Sequence, residues 1–203
     1  PTYLKAATSL SSSSIRMPFS NPINVQISQF GSEFVRTFGD RMQVAGEAKP
    51  DLQFHSGGYL FLANSEEQEN VLRENHAVQK ACGADVVLWN RDELADAFPH
   101  LRVDDIRLAS YGRSGEGWFD NTGLMYGFKA KARELGAEYV TDEVVGIDRE
   151  DGHVTAVMLK SGARVGAGTI VNASGPRAGL TARMAGLDLP VEPRKRTIFV
   201  FDC

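Results

Sequence analysis

A mixed α/β fold (α+β) in two spatial units is what this sequence predicts, and three observations predict it. Helical and strand-like patterns alternate along most of the 203 residues. The turns Asp151-Gly152 and Ser161-Gly162 separate three short alternating runs, which read as a β-meander. An apolar β-type run then stops abruptly in small residues, Thr169-Ile170-Val171-Asn172-Ala173-Ser174-Gly175-Pro176, and a helix-like segment over residues 178–185 follows. In an open α/β sheet, ligands sit beyond the carboxyl ends of the strands. Small residues there let a flat cofactor approach the backbone, and the next helix offers N–H groups to an anion.

The elements follow in order. Ile27, Phe30, Phe34 and Phe38 recur at helical spacing, which predicts an amphipathic helix over about residues 25–38. A strand centres on residues 59–62. Ser65 with Gln68 forms a capping box that opens a polar helix to about residue 81. Residues 85–89 form a short strand. Asn90 with Glu93 caps a second, short helix that Pro99 ends. Residues 106–111 form a strand. Asn121 or Thr122 caps a helix over residues 124–135, and Gly136 suits its C′ position. Tyr139-Val140 is expected as a short strand leading to the meander. Further strands are expected near Glu192 and over residues 197–201.

Composition narrows the function classes. The chain is 42% apolar and 24% charged, ordinary for a globular protein, and a net charge of −4 argues against a nucleic-acid partner. The basic cluster Arg194-Lys195-Arg196 reads as a solvated strand edge. No apolar run reaches membrane-spanning length. Cys82 and Cys203 have no disulfide-framework spacing. His55, His76, His100 and His153 are scattered without metal-ligand spacing, so no metal is expected. Neither a G-x-S-x-G elbow nor a P-loop is present. Gly115-Glu116-Gly117 and Gly166-Ala167-Gly168 look like dinucleotide-binding turns, but neither follows a strand with a third glycine in register.

Meander, apolar strand and Asn-Ala-Ser-Gly-Pro in sequence resemble the flavin-dependent amine and amino-acid oxidoreductases of the D-amino-acid oxidase type, which include glycine oxidase, sarcosine oxidase and dimethylglycine dehydrogenase. The likeness continues in Thr8-Ser9-Leu10-Ser11-Ser12-Ser13-Ser14-Ile15-Arg16, followed by Phe19-Ser20 and Asn24, and in Gly58-Tyr59-Leu60-Phe61-Leu62 and Gly117-Trp118-Phe119-Asp120. In that family a Ser/Thr/Gly-rich loop passes beside the flavin and leads to an Arg and a helix. The resemblance implies FAD as cofactor, with Thr8, Ser9, Ser13, Ser14, Ile15, Val144, Ala173, Ser174 and Gly175 beside it. Val144 would meet the adenine edge through its backbone. Ser12 and Ser13 replace residues that are often Ala or Gly in the family.

The resemblance also assigns a substrate site. Arg16 matches an arginine that holds the substrate carboxylate over the flavin in sarcosine-oxidase relatives, and its planar fork suits a carboxylate. Phe19 and Tyr59 would line the pocket beside it. The expected protein is part of a two-domain flavoprotein: residues 1–50 and 112–186 a partial nucleotide-binding domain with the meander, residues 51–111 and 187–203 a partial antiparallel substrate-domain sheet. The family's opening G-x-G-x-x-G unit is not in these residues, so the chain reads as the middle of a longer protein. It is expected to oxidise a primary or secondary amine, an amino acid or N-methylglycine, by hydride transfer to flavin N5. Oxygen, a protein or a quinone would be the electron acceptor, in the cytoplasm or an organelle matrix. A 2-hydroxy acid or glycerol phosphate as substrate, and a non-catalytic assembly scaffold, are the alternatives.

Overall fold

The computed structural model describes Tyr3 and residues 6–199. Two compact units divide it, Ser11–Gly136 and Pro1–Leu10 with Ala137–Cys203.

In the unit Ser11–Gly136, a two-residue strand β1 (Ser14–Ile15) leads to helix α1 (Pro22–Arg36) and the short α2 (Phe38–Met42). Asn21 starts α1: its side chain accepts from the Ile23 N–H, and Pro22, whose missing N–H costs nothing there, occupies the first turn. The buried face of α1 is Val25, Ser32 and Val35, while Ile27 and Phe30 are 60% and 61% exposed. The apolar stripe is inward only in part, with Phe38 1% exposed and Phe34 packed against the same core. The helix settles by its tightest neighbours. Val25 packs with Met17, Ala84 and Val86, and Val35 and Phe38 pack with Leu52. Ser32, small enough to let the backbones close, donates to the Gly115 carbonyl at 2.7 Å. The outer aromatics still form a row: Phe34 stacks on Phe30 and on Phe128, with centroids 6.0 and 5.7 Å away.

Strand β2 (His55–Ser56) and β3 (Tyr59–Ala63) follow, then α3 (Glu66–Ala81), β4 (Val86–Trp89), α4 (Arg91–Ala97), β5 (Leu108–Gly112), β6 (Gly117–Trp118) and α5 (Asn121–Glu134). β5 is the centre of an antiparallel sheet ordered β3-β5-β4, with Leu60 opposite Tyr111 and Leu88 opposite Ser110. One core lies among Leu94, Ile106 and Ala109 with Leu60, Trp89 and Phe98 against them. Burying such a side chain contributes about 1.5–3 kcal/mol. A smaller sheet, β1-β6-β2, joins the start of the unit to its far end.

The helix caps show how local chemistry decides boundaries. Asn90 and Glu93 complete the predicted capping box of α4. At α3, Ser65 accepts from the Gln68 N–H at 3.3 Å, but the Gln68 side chain reaches back to the Asn64 N–H rather than to Ser65. For α5 the expected caps Asn121 and Thr122 are replaced by Asp120, whose carboxylate accepts from the Thr122 and Gly123 N–H groups at 2.9 Å. An extended acid one residue earlier satisfies two orphan donors and suits the positive helix end. Gly136, at φ +92, takes the C′ position as predicted.

In the other unit, β7 (Val144–Glu150), β8 (His153–Leu159) and β9 (Arg164–Gly166) form the antiparallel meander in that order. Its first turn places both Asp151 and Gly152 at positive φ, +48 and +83, as a tight hairpin requires. A 3₁₀ turn (Gly175–Arg177) runs into α6 (Ala178–Met184). Arg149 ties β7 to the end of α6 by donating to the Ala185 carbonyl at 2.6 Å.

Several expected strands are not formed. Residues 139–140, 169–171 and 192–199 are irregular, and Val171 is 84% exposed. A strand needs a ladder partner for its N–H and C=O groups. Among the described residues no strand pairs with these runs. The end of the run expected over 197–201 lies outside the described residues.

Candidate functional site

The serine run is an ordered turn rather than a loose linker. The Ser11 hydroxyl accepts from the Ser13 N–H at 3.0 Å, and the Ser13 carbonyl accepts from the Phe119 N–H at 3.2 Å. Ser13 sits at φ +58, a conformation natural to glycine and uncommon for other residues. Ser14 and Ile15 then pair with Trp118 and Gly117. That pairing delivers Arg16 to a fixed place.

There Arg16 meets both of its expected pocket companions. Its guanidinium carbon lies 5.2 Å from the ring centroids of Phe19 and Tyr59, and 5.6 Å from that of Phe61. One terminal nitrogen, Nη1, donates to the Tyr59 hydroxyl at 3.2 Å. Rings facing a guanidinium attract it through their quadrupole and stiffen a long side chain. Nε is buried and has no hydrogen-bond partner.

Glu116 is the residue that sequence reasoning missed. It is 1% exposed, and neither carboxyl oxygen completes a hydrogen bond. The β1–β6 ladder ends with Ile15 opposite Gly117, so Arg16 and Glu116 are the next residues of the two strands. Burial pushes its pKa up to about 7, against a downward pull from the Met17 N–H and Arg16, while Asp85 adds to the rise. The Met17 N–H approaches without reaching hydrogen-bond geometry. Gly112 makes the room: a Cβ there would lie in contact with the Glu116 carboxyl itself. The available signal was an acid flanked by two glycines before an aromatic pair, a poor place for a solvated charge.

The remaining candidates divide between the two units. Ser13, Ser14 and Ile15 lie with Arg16. Thr8 and Ser9 lie in a turn closed by the Leu10 N–H on the Ala7 carbonyl, in the unit that also holds Val144, Ala173, Ser174 and Gly175. Val144 opens β7 opposite Leu159. The 173–175 turn is held by Asn172, whose side chain accepts from the Ser174 N–H at 3.2 Å and donates to the Ala178 carbonyl at 2.9 Å. Thr181 donates to the Ser174 hydroxyl at 2.8 Å. Gly175 has φ +56 and open space where a Cβ would stand. The cleft bounded by Met42, Pro50, Tyr126 and Arg133 contains none of these residues.

Among the described residues no group of three His, Cys, Asp or Glu is placed to hold a metal ion, and no helix is long and apolar enough to cross a membrane.

The arginine held among aromatic rings in one unit, and the small-residue turn and β-meander in the other, are features through which the sequence resembles flavin-dependent oxidoreductases. The chain belongs to the DAO family of FAD-dependent oxidoreductases, whose model matches residues 4–203. It is 38% identical to FAD-dependent oxidoreductase domain-containing protein 1 of Xenopus laevis, covering 100% of this chain and 46% of that protein. It is 28% identical to sarcosine oxidase subunit beta of Rhizobium meliloti, over 70% of this chain and 35% of the relative. Among solved structures, L-proline dehydrogenase from P. horikoshii superposes with a TM-score of 0.76 at 25% identity, over 89% of this chain and 46% of that one. The chain thus spans about half the length of the curated relatives it matches.

Proposed function

We propose that the intact protein oxidises an amine-bearing carboxylate, an amino acid or N-methylglycine, and that Arg16 holds the substrate carboxylate. The carrying observation is the Arg16 guanidinium seated among Phe19, Tyr59 and Phe61. Its relatives support the same reading: sarcosine and L-proline, in the names of two of them, are both amino acids with a secondary nitrogen.

The residues present fit a flat, anionic cofactor. The exposed 173–175 turn has open space beyond Gly175, and Ser14 is likewise exposed. Ser13, Ser14 and Ile15 in one unit, and Thr8, Ser9, Val144, Ala173, Ser174 and Gly175 in the other, are the residues that would offer backbone and hydroxyl groups to FAD. When bound, FAD supplies the hydride acceptor for the carbon beside the substrate nitrogen.

This chain's residues do the rest. Arg16 offers a charged fork to the carboxylate and fixes the orientation of the carbon to be oxidised. Tyr59 limits the swing of that fork by taking one N–H. Phe19 and Phe61 keep water from its faces, so the charge acts at lower dielectric. Residues 1–50 and 112–186 are assigned to FAD and residues 51–111 and 187–203 to substrate. In the sheet β1-β6-β2, β6 stands between Ser14–Ile15 and His55–Ser56.

The test is anaerobic flavin bleaching of the intact protein by sarcosine, L-proline, glycine, lactate and glycerol 3-phosphate. Bleaching by the amino acids alone is expected. Bleaching by lactate or glycerol phosphate alone would move the substrate to the hydroxyl class. Bound flavin with no bleaching by any of them would favour a scaffold.

A further inference from the structure

The Arg16 Nε–H and the Glu116 carboxyl are buried without hydrogen-bond partners, and each is the next residue beyond the last β1–β6 pair, Ile15 with Gly117. An unpaired buried acid is costly unless something else takes its place in the balance. Arg16 is committed to neither side. One of its N–H groups goes to Tyr59, Nε faces the interior without a bond, and three rings line its plane.

We propose that Glu116 is a positioning residue for Arg16, a carboxyl buried behind the guanidinium that competes with a bound substrate carboxylate for its charge. The inference rests on the reading of Arg16 as the carboxylate holder. Its consequence is specific. A bound anion and an ionised Glu116 oppose each other across one guanidinium, so binding an anionic ligand draws a proton onto Glu116. A neutral ligand does not.

Burial already holds Glu116 protonated up to about 7, which places this exchange within reach of ordinary conditions. Below that pH the full Arg16 charge faces the ligand. Above it, ionised Glu116 offsets the charge and anion binding weakens. The other groups facing this place are Asp85, just before β4 and paired to Arg113, and the hydroxyl of Tyr59 on β3. Asp85 is held low by Arg113, so it stays ionised throughout. His55 on β2, stacked on Trp118, is the remaining titratable side chain of the small sheet.

The experiment uses the intact flavin-loaded protein and benzoate, a carboxylate with no amine to titrate, with benzamide as its neutral counterpart. Calorimetry at pH 7 in two buffers of different ionisation enthalpy reads proton uptake directly, and Kd is followed from pH 6 to 8.5. The wild type should take up a proton with benzoate and none with benzamide. Its benzoate Kd should rise with pH, by at most roughly tenfold per unit. Glu116→Gln should remove the uptake and the pH dependence, and bind at pH 8.5 as the wild type does at pH 6. His55→Gln should leave both intact.

Absence of proton uptake in the wild type overturns the proposal without any variant. So does a Glu116→Gln protein that keeps the wild-type pH profile. If Arg16→Lys binds benzoate as well as the wild type, the reading of Arg16 fails first and takes this inference with it. If Arg16→Lys weakens benzoate while Glu116→Gln changes nothing, only the role of Glu116 falls.

Discussion

At the scale of single residues, the site is a balance between one fixed charge and one conditional charge. Glu116 carries a proton up to about 7, and once ionised it offsets the guanidinium charge of Arg16. That asymmetry reaches stability. The folded state keeps the Glu116 proton between the ordinary carboxylate value of 4.5 and about 7, where the unfolded chain has already lost it. The folded state binds more protons in that window, so its stability falls as pH rises through it. Urea unfolding of the intact protein at pH 4.5 and pH 8 should show the wild type losing stability toward the higher pH, and Glu116→Gln losing less. A loss of equal size in both proteins would assign the effect to other groups. Arg16, Phe19 and Tyr59 were legible in the sequence because their spacing repeats a known pattern. Glu116 was not, since its chemistry comes from burial, and burial depends on Gly112 and the β1–β6 pairing far along the chain.

At the scale of elements, local signals marked what local chemistry controls. The α4 capping box, the Gly136 terminus and the Asp-Gly hairpin all stand where the sequence puts them. The residues buried on α1 were not marked in that way, because Val25, Ser32 and Val35 are chosen by partners from three other segments. The runs at 139–140 and 169–171 have strand composition without a described strand beside them, and composition alone makes no ladder. The 173–175 turn carries the clearest test at this scale. A Cβ at Gly175 meets nothing, so Gly175→Leu should cost the fold only the left-handed backbone penalty of about 1–2 kcal/mol. If a flat cofactor lies against that turn, the variant should lose flavin absorbance and retain its circular dichroism. Parallel loss of both signals would make the turn purely structural.

At the scale of the whole molecule, membership of the DAO family rests on residues 4–203, and the relatives are about twice this chain's length. The small antiparallel sheets and the meander were legible from alternation and turns. The substrate of the proposed site was not, because one arginine recognises any carboxylate and the rest of a substrate is read by shape. The central claim is that Arg16 holds that carboxylate. Anaerobic flavin bleaching of the intact protein by sarcosine and by dimethylamine, in wild type and Arg16→Lys, tests it most directly. Lysine keeps the charge and loses the bidentate fork, at about 1.5–3 kcal/mol or roughly ten- to a hundredfold in affinity. The account predicts that penalty for sarcosine, little change for dimethylamine, and unchanged flavin content. Equal effects on both amines, or loss of flavin from Arg16→Lys, would contradict it.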